Sequence, residues 1–332
     1  MDRHAPPSAE EFFQAGQLLL RLHDGVGEQS LTGFRHWVLE QLESILDFDS
    51  AMWGSASDDP RQMHEVCLYR QPRAMLESYA RYQDDDFLRD EVCRVPGHTV
   101  NLADLMTPEQ LQLQRIYREH AIPFRATQVL CTADVDPTTT LIHTLVLFRA
   151  DPQRPFSERD RQIKEFLFPH LLQMAREHCF RLLRRQAPVA GELYRMAVAD
   201  GEGVLQQVEP GFSDLLSHEW PEWQGAGLPA QLIEDIGEAD ETSYYDGRHI
   251  HARLQKTDGL LLLQLRHRAA VDHLTARERQ VARAYARGLS YRAIAGQLQI
   301  SPSTVRNQLN SVYRKLGIND KSRLAEALRP LL

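Results

Sequence analysis

The last sixty residues of this chain are cut so closely by helix-start and helix-stop residues that only short helices fit between them. Thr275 stands before a charged helix start, Gly288 is a stop, Ser290 a second cap and Ser301-Pro302 a third. These signals predict helices over 275–287, 290–298, 301–316 and 321–329. The second and third are separated by only a few residues, as a helix-turn-helix requires. In the third, SPSTVRNQLNSVYRKLG, residues Val305, Leu309, Val312 and Leu316 recur at spacings of four, three and four. A helix gathers them into one buried stripe. The opposite face carries Arg306, Asn307, Asn310, Arg314 and Lys315 and no acid, a donor set suited to phosphates and base edges.

Charge is divided along the chain in a way that agrees. The 332 residues carry a net −8, which alone would repel nucleic acid. Residues 272–332, however, hold eleven Lys and Arg against four Asp and Glu, a balance of +7, so the preceding 271 residues carry −15. A basic tail on an acidic body confines any DNA-binding surface to the tail.

At this point the residues resemble the LuxR-type (GerE-like) helix-turn-helix domain of bacterial transcription regulators. The family's opening LTxRE is matched by Leu274, Thr275, Arg277 and Glu278, and its Gly-x-Ser turn and Ile-Ala pair by Gly288, Ser290, Ile294 and Ala295. Its L-x-I-S-x-x-T-V-K/R run is matched by Leu298, Ile300, Ser301, Thr304, Val305 and Arg306, and its closing KLG-V/I by Lys315, Leu316, Gly317 and Ile318. The chain departs from the pattern at Tyr291, Arg292 and Ala293, where Asn-Lys-Glu is common, and at Gln308, where His is frequent. The resemblance implies double-stranded DNA as partner, with Ser303, Thr304 and Arg306 near the helix N-terminus. Asn307 and Asn310 are the candidates for base reading, and Arg314 and Lys315 are expected to reach phosphate. It also implies a homodimer through the fourth helix, where Leu324, Ala325 and Leu328 either form a leftover apolar stripe or finish the local core. RNA polymerase is a further partner expected on the same ground. Glu278, among Arg277, Arg279, Arg283 and Arg287, reads as an intradomain salt bridge rather than a catalytic group.

The rest of the chain is long enough for two more domains. The expected fold class is α+β, with an α/β GAF/PAS-like sensor domain over 1–187, a small PAS-like domain over 188–270 and an all-α four-helix domain over 271–332. In the first segment, helical spacing over 9–24 and 31–46 precedes strand-like SAMWGSAS and MHEVCLYR, and helical spacing returns after Gln71-Pro72. FRATQVLCTADVDPTTTLIHTLVLFRA reads as a hairpin turned at Asp136-Pro137. Ser157 caps a long helix that Pro169 should kink or split; His170 beside it reads as a capping or interface residue. In the second segment LYRMAVAD and GVLQQV form a hairpin at Gly201-Glu202, and a short helix stops at Pro221. Strand-like ETSYYDGRHIHARL and GLLLLQLRH are joined by KTDG.

No ordered acidic pair, strand-end aspartate and lysine mark a phosphoacceptor receiver, and no P-loop marks an ATP-binding regulator. Asp84, Asp85 and Asp86 follow a helical stretch and read as a solvated helix end. The stretch YARYQDDDF is similar to the tyrosine-and-aspartate segment of acyl-homoserine-lactone receptors but lacks that pattern's Asp-Pro. Trp37, Trp53, Tyr69, Tyr79 and Tyr82 are either ligand-pocket walls or ordinary core aromatics. Four scattered cysteines form no CxxC pair, so they read as buried free thiols, and neither metal nor cofactor is expected. No apolar run spans a bilayer and no signal peptide opens the chain, which implies a cytoplasmic protein, at the nucleoid when bound to DNA. Two readings follow: a regulator modulated by a small-molecule effector, or a ligand-independent one whose N-terminal domains dimerise or bind proteins. An enzyme with a DNA-binding tail lacks any Ser/His/Asp ordering or paired acids to support it.

Overall fold

A computed structural model describes residues 4–30, 33–57, 62–186, 194–225, 227–237, 242–257 and 259–328. The chain divides into two units, Met1–Leu183 and Arg184–Leu332.

The first unit opens with α1 (Ala9–Gly25), whose Ser8 cap and Glu11 side chain satisfy each other's backbone N–H groups. It continues with α2 (Phe34–Leu42), β1 (Ser50–Ser57), β2 (Gln62–Tyr69), α3 (Ala74–Tyr79), α4 (Phe87–Arg94), β3 (Thr99–Asn101), α5 (Leu102–Leu105) and α6 (Pro108–Leu113). A π-helical turn at Tyr117–Ala121 leads into β4 (Gln128–Val135) and β5 (Ile142–Arg149), and α7 (Glu158–Gln186) follows. The five strands form one antiparallel sheet in the order β2-β1-β5-β4-β3. The β4–β5 turn is held by the Asp136 carboxylate, which accepts from Thr138 and Thr139 N–H at 2.8 and 2.9 Å and pairs with Arg176 of α7 at 2.6 Å.

Because strand side chains alternate, the sheet has two apolar faces. Ala51, Trp53, Leu130, Leu145 and Leu147 point to the face covered by α1, α2 and α7. Their neighbours Met52, Val129, Cys131, Val146 and Phe148 point to the face covered by α3 to α6. The long helix runs through Pro169 without splitting. Ile163, Leu167, Phe168, Leu171 and Met174 bury both halves in the same core, which offsets the missing N–H of Pro169. Lys164 is wholly buried there, donating to Leu145 O at 2.7 Å and to the Thr132 hydroxyl.

The second unit repeats the plan. β6 (Arg195–Ala199), β7 (Leu205–Val208), α8 (Phe212–Glu219), α9 (Ala230–Gly237), β8 (Thr242–Asp246), β9 (Ile250–Thr257) and β10 (Leu260–His267) give a sheet ordered β7-β6-β10-β9-β8. That is the same second-first-fifth-fourth-third order as the first sheet. ETSYYDGRHIHARL is therefore two strands, not one. Glu219, at the end of α8, accepts from the N–H groups of Arg248, His249 and Ile250 at 2.7, 2.6 and 3.2 Å and folds the run into a hairpin. The local signal was Asp246-Gly247 inside the run, whose Gly247 N–H donates to Ile250 O at 3.0 Å, and reading the run as one strand overlooked it. Asp258 of the expected KTDG turn lies outside the described residues, as do Glu241 and residues 187–193 and 329–332.

Four helices close the chain: α10 (Ala276–Ala286), α11 (Tyr291–Leu298), α12 (Pro302–Leu316) and α13 (Lys321–Ala327). The Arg266 guanidinium joins the end of β10 to the segment before α10, meeting both Asp272 oxygens at 2.5 and 2.6 Å. Both antiparallel sheets and the helical tail make the chain α+β.

Candidate nucleic-acid interface and sensor cavity

Each start and stop of the tail is set by local chemistry. Thr275 accepts from the Glu278 N–H, and Glu278 returns the bond to the Thr275 N–H at 2.8 Å. Ser290 caps α11 and Ser301 caps α12, accepting from Ala293 and Thr304 N–H at 3.2 and 3.0 Å. Gln299 closes α11 in the left-handed region, at φ 53°, and Gly317 closes α12 at φ 66°, where glycine carries no Cβ penalty. Arg277 caps the C-terminal end of α11 through the Leu298 carbonyl. The residues of the LTxRE motif thus build the scaffold on which α12 sits.

Val305, Leu309 and Val312 are buried with Ile294, Val281 and Leu324 in the tail's own core. Burial of that face leaves Ser303, Arg306, Asn307, Asn310 and Arg314 exposed, with Thr304 half-buried. The Ser303 and Thr304 hydroxyls meet Ser301 Oγ at 2.6 and 2.8 Å, so this end of the helix is ordered.

Lys315 stands apart from this set. Its ammonium donates to Glu278 Oε2 at 2.7 Å and to His273 O at 3.2 Å, and Ser311 donates to Glu278 Oε1 at 2.7 Å. Burial alone would raise the Glu278 carboxyl, but Lys315, Thr275 and Ser311 outweigh it and hold the group at about 2. The pair ties α12 to α10. Replacing Lys315 by Met is expected to cost about 1–3 kcal/mol, the penalty for leaving a mostly buried acceptor without its partner. Urea melts read that loss, and the salt slope of DNA binding should stay unchanged. Full stability with a slope reduced by about one would instead mean a phosphate contact.

Leu324 and Leu328 are fully buried in the same core. They finish the domain's own core, where α13 packs on α10, rather than leaving a stripe for a partner.

In the first unit, the five aromatics separate by sheet face. Trp53 and Tyr69 are buried in the core under α1, α2 and α7, and Trp37 packs against it. Tyr82 lies at the surface, donating to Glu119 at 2.9 Å with Arg115 over its ring. Tyr79 alone of the five lines a cavity of about 160 Å³ on the opposite face. Its hydroxyl donates to Asp86 Oδ2 at 2.7 Å, while Asp86 Oδ1 accepts from Leu88 and Arg89 N–H at 3.1 Å each. Burial raises the Asp86 carboxyl, and these donors pull it back. The acidic run is therefore split: Asp84 and Asp85 are exposed, and Asp86 is a helix cap facing the cavity.

Sequence reasoning missed the rest of the cavity, which includes Met52, Met75, Tyr117, His120, Cys131 and Phe148. The alternation of β1, β4 and β5 was the available signal, since it puts Met52, Cys131 and Phe148 opposite Trp53. All four cysteines are free. Among the described residues no group of His, Cys, Asp and Glu is arranged to hold a metal ion, and no helix is long and apolar enough to cross a membrane.

Residues 272–328 match the model of the bacterial regulatory proteins of the luxR family, GerE. The chain is 43% identical over 77 residues to a probable transcriptional regulatory protein, NarL, of Mycobacterium tuberculosis, covering 22% of this chain and 36% of that protein. It is 40% identical over 57 residues to the transcriptional regulatory protein UhpA of Escherichia coli, covering 17% and 29%. It thus spans about a third of these relatives. Among solved structures, CepR2 of Burkholderia cenocepacia, described as an N-acylhomoserine lactone dependent LuxR family factor, aligns with 52% of this chain and 99% of its own at 15% identity and TM-score 0.39. Escherichia coli SdiA aligns with 96% and 97% at 14% identity and TM-score 0.35.

Proposed function

We propose that this chain, whose C-terminal residues 272–328 are a luxR-family helix-turn-helix domain, is a sequence-specific DNA-binding transcription regulator modulated by a small molecule. The observation that carries the reading is the exposed face of α12. It offers Ser303, Arg306, Asn307, Asn310 and Arg314, with Thr304 half-buried beside them and without an acid, opposite buried Val305, Leu309 and Val312 and partly buried Leu316. Such a helix can enter the major groove while its scaffold holds the backbone. Asn307 and Asn310 are the base readers, since an amide pairs bidentately with adenine, and Arg306 and Arg314 are the phosphate contacts.

A homodimer would present two such helices to half-sites one DNA turn apart, with RNA polymerase as the further partner of a promoter-bound regulator. The cytoplasm, at the nucleoid, is the compartment this activity needs. The shared strand order of the two sheets supports a GAF/PAS-like sensor domain over 1–187 and a PAS-like domain over 188–270, ahead of the DNA-binding domain from 271. The cavity lined by Tyr79, Asp86 and His120 is the effector site of the first.

The test is fluorescence anisotropy against a duplex selected from random sequence. Arg306→Ala is expected to weaken binding to all duplexes and to lower the salt slope by about one. Asn310→Ala is expected to cost about 1–3 kcal/mol on the selected site only. A wild-type chain that binds selected and random duplexes equally would overturn the reading.

A further inference from the structure

The cavity in the first unit is small, sulfur-rich and ring-lined, and one of its walls is built from an unusual backbone. Met52, Met63, Met75, Cys93 and Cys131 all face it. Soft, adaptable thioether walls suit flat aromatic guests, which thioether sulfur contacts favourably at the ring edge. Its volume of about 160 Å³ is close to that of an engineered apolar cavity of about 150 Å³ that binds benzene. One substituted ring fits such a space.

The wall in question is the π-helical turn Tyr117–Ala121. Ile122 N donates to Tyr117 O at 2.9 Å and Ala126 N to Ala121 O at 2.8 Å, each a five-residue step. π turns are rare and recur at functional sites. This one carries Tyr117 and His120, both more than nine-tenths buried and both facing the cavity. His120 Nδ1 lies 3.1 Å from Ser78 Oγ, and its ring leans on Tyr79 and Phe124 at 5.8 and 5.4 Å. The ring is therefore fixed in orientation, with Nε2 left for another group. Burial, and next the Arg81 charge, push its pKa down to about 4, so near neutral pH it is an uncharged hydrogen-bonding handle. The Asp86 carboxylate is already met by Tyr79 and two backbone N–H groups, whereas the His120 imidazole has one ring nitrogen engaged, by Ser78, and stands on the same wall as the Tyr117 hydroxyl.

We propose that the effector is a compact neutral phenol-type arene, and that His120 is the specificity-determining residue that hydrogen-bonds its hydroxyl through Nε2. A hydroxyl donates or accepts, so it matches either imidazole tautomer set by Ser78. The proposal rests on the reading of this cavity as an effector site.

The experiment measures p-cresol and toluene, which differ by one hydroxyl, against the full chain by thermal shift and calorimetric titration. Octanoyl homoserine lactone and hexanol are included as flexible aliphatic probes. The expected result is p-cresol binding at least about tenfold tighter than toluene, as one hydrogen bond to a buried partner gives. His120→Phe, which keeps a ring, should remove that difference, and His120→Gln should restore part of it. On the wild-type chain, p-cresol and not toluene should move the imidazole ¹⁵N signal of His120, a readout independent of whether the variants fold. Equal binding of p-cresol and toluene, or an unmoved imidazole signal, overturns the role of His120. Binding of the aliphatic probes alone overturns the ligand class and leaves the effector reading standing. No melting shift with any of these compounds overturns both.

Discussion

Asp272→Ala should lower the stability of the second unit by about 3–5 kcal/mol, the cost of leaving one member of a buried ion pair alone. Arg266 and Asp272 are 3% and 1% exposed at their side chains, and their two-point contact is joined by the Ala269 N–H at 2.8 Å. Without Asp272, the guanidinium keeps only the Tyr194 hydroxyl at 2.9 Å and the His267 carbonyl at 3.1 Å, neither of which balances its charge. Urea denaturation followed by far-UV circular dichroism measures the loss, and the double variant Arg266→Met with Asp272→Leu should recover most of it. Burial alone would raise the Asp272 carboxyl, but Arg266 and the Ala269 N–H outweigh it and hold the group below its usual range. The pair's stabilisation is therefore present above the unfolded pKa of about 3.9 and is lost as pH falls through the lower folded value. A loss under about 1 kcal/mol for Asp272→Ala would show the pair to be solvated.

Trp53→Ala is the second large effect, about 3–5 kcal/mol, as expected for emptying a buried indole site. Trp53 is 1% exposed, packs on Phe34 at 6.4 Å between ring centres and lies under the Arg35 guanidinium at 5.8 Å. Because β1 turns it away from the cavity, p-cresol affinity should be unchanged at temperatures where the variant is folded. Thermal denaturation and titration of one preparation read both quantities. Near-wild-type stability with lost binding would place Trp53 in the ligand site instead.

Trp53 also shows where the sequence stops being informative. Five aromatics within the first 82 residues were equal candidates for a pocket, and only Tyr79 reaches one. Their types are alike; what separates them is which face of the sheet each strand position takes, and that depends on strand pairing. Met52 and Trp53 are neighbours in sequence and lie on opposite faces. Asp86 was read with Asp84 and Asp85 as one acidic run, yet it alone is drawn in by Tyr79. Asp246-Gly247 was a turn signal between β8 and β9 that the sequence reading passed over, and Glu219 adds to it from another element.

The tail behaves differently. Thr275, Ser290, Ser301-Pro302, Gly288 and Gly317 act on backbone groups within four residues of themselves, so the boundaries of α10, α11 and α12 could be read from the chain alone. The apolar stripe Val305, Leu309, Val312 and Leu316 is likewise a matter of helical period, though Leu316 at the helix end is only partly buried. The pairing of Lys315 with Glu278, 37 residues apart, and the closing of Leu324 and Leu328 onto the domain's own core could not be read there. Helix limits and the amphipathic face of α12 were thus determined by the sequence itself, because caps and periodicity are short-range. Which cations stay free for DNA, which aromatics line the cavity and which carboxylates are buried were decided only by tertiary structure, because each depends on a partner that folding brings from a distant part of the chain.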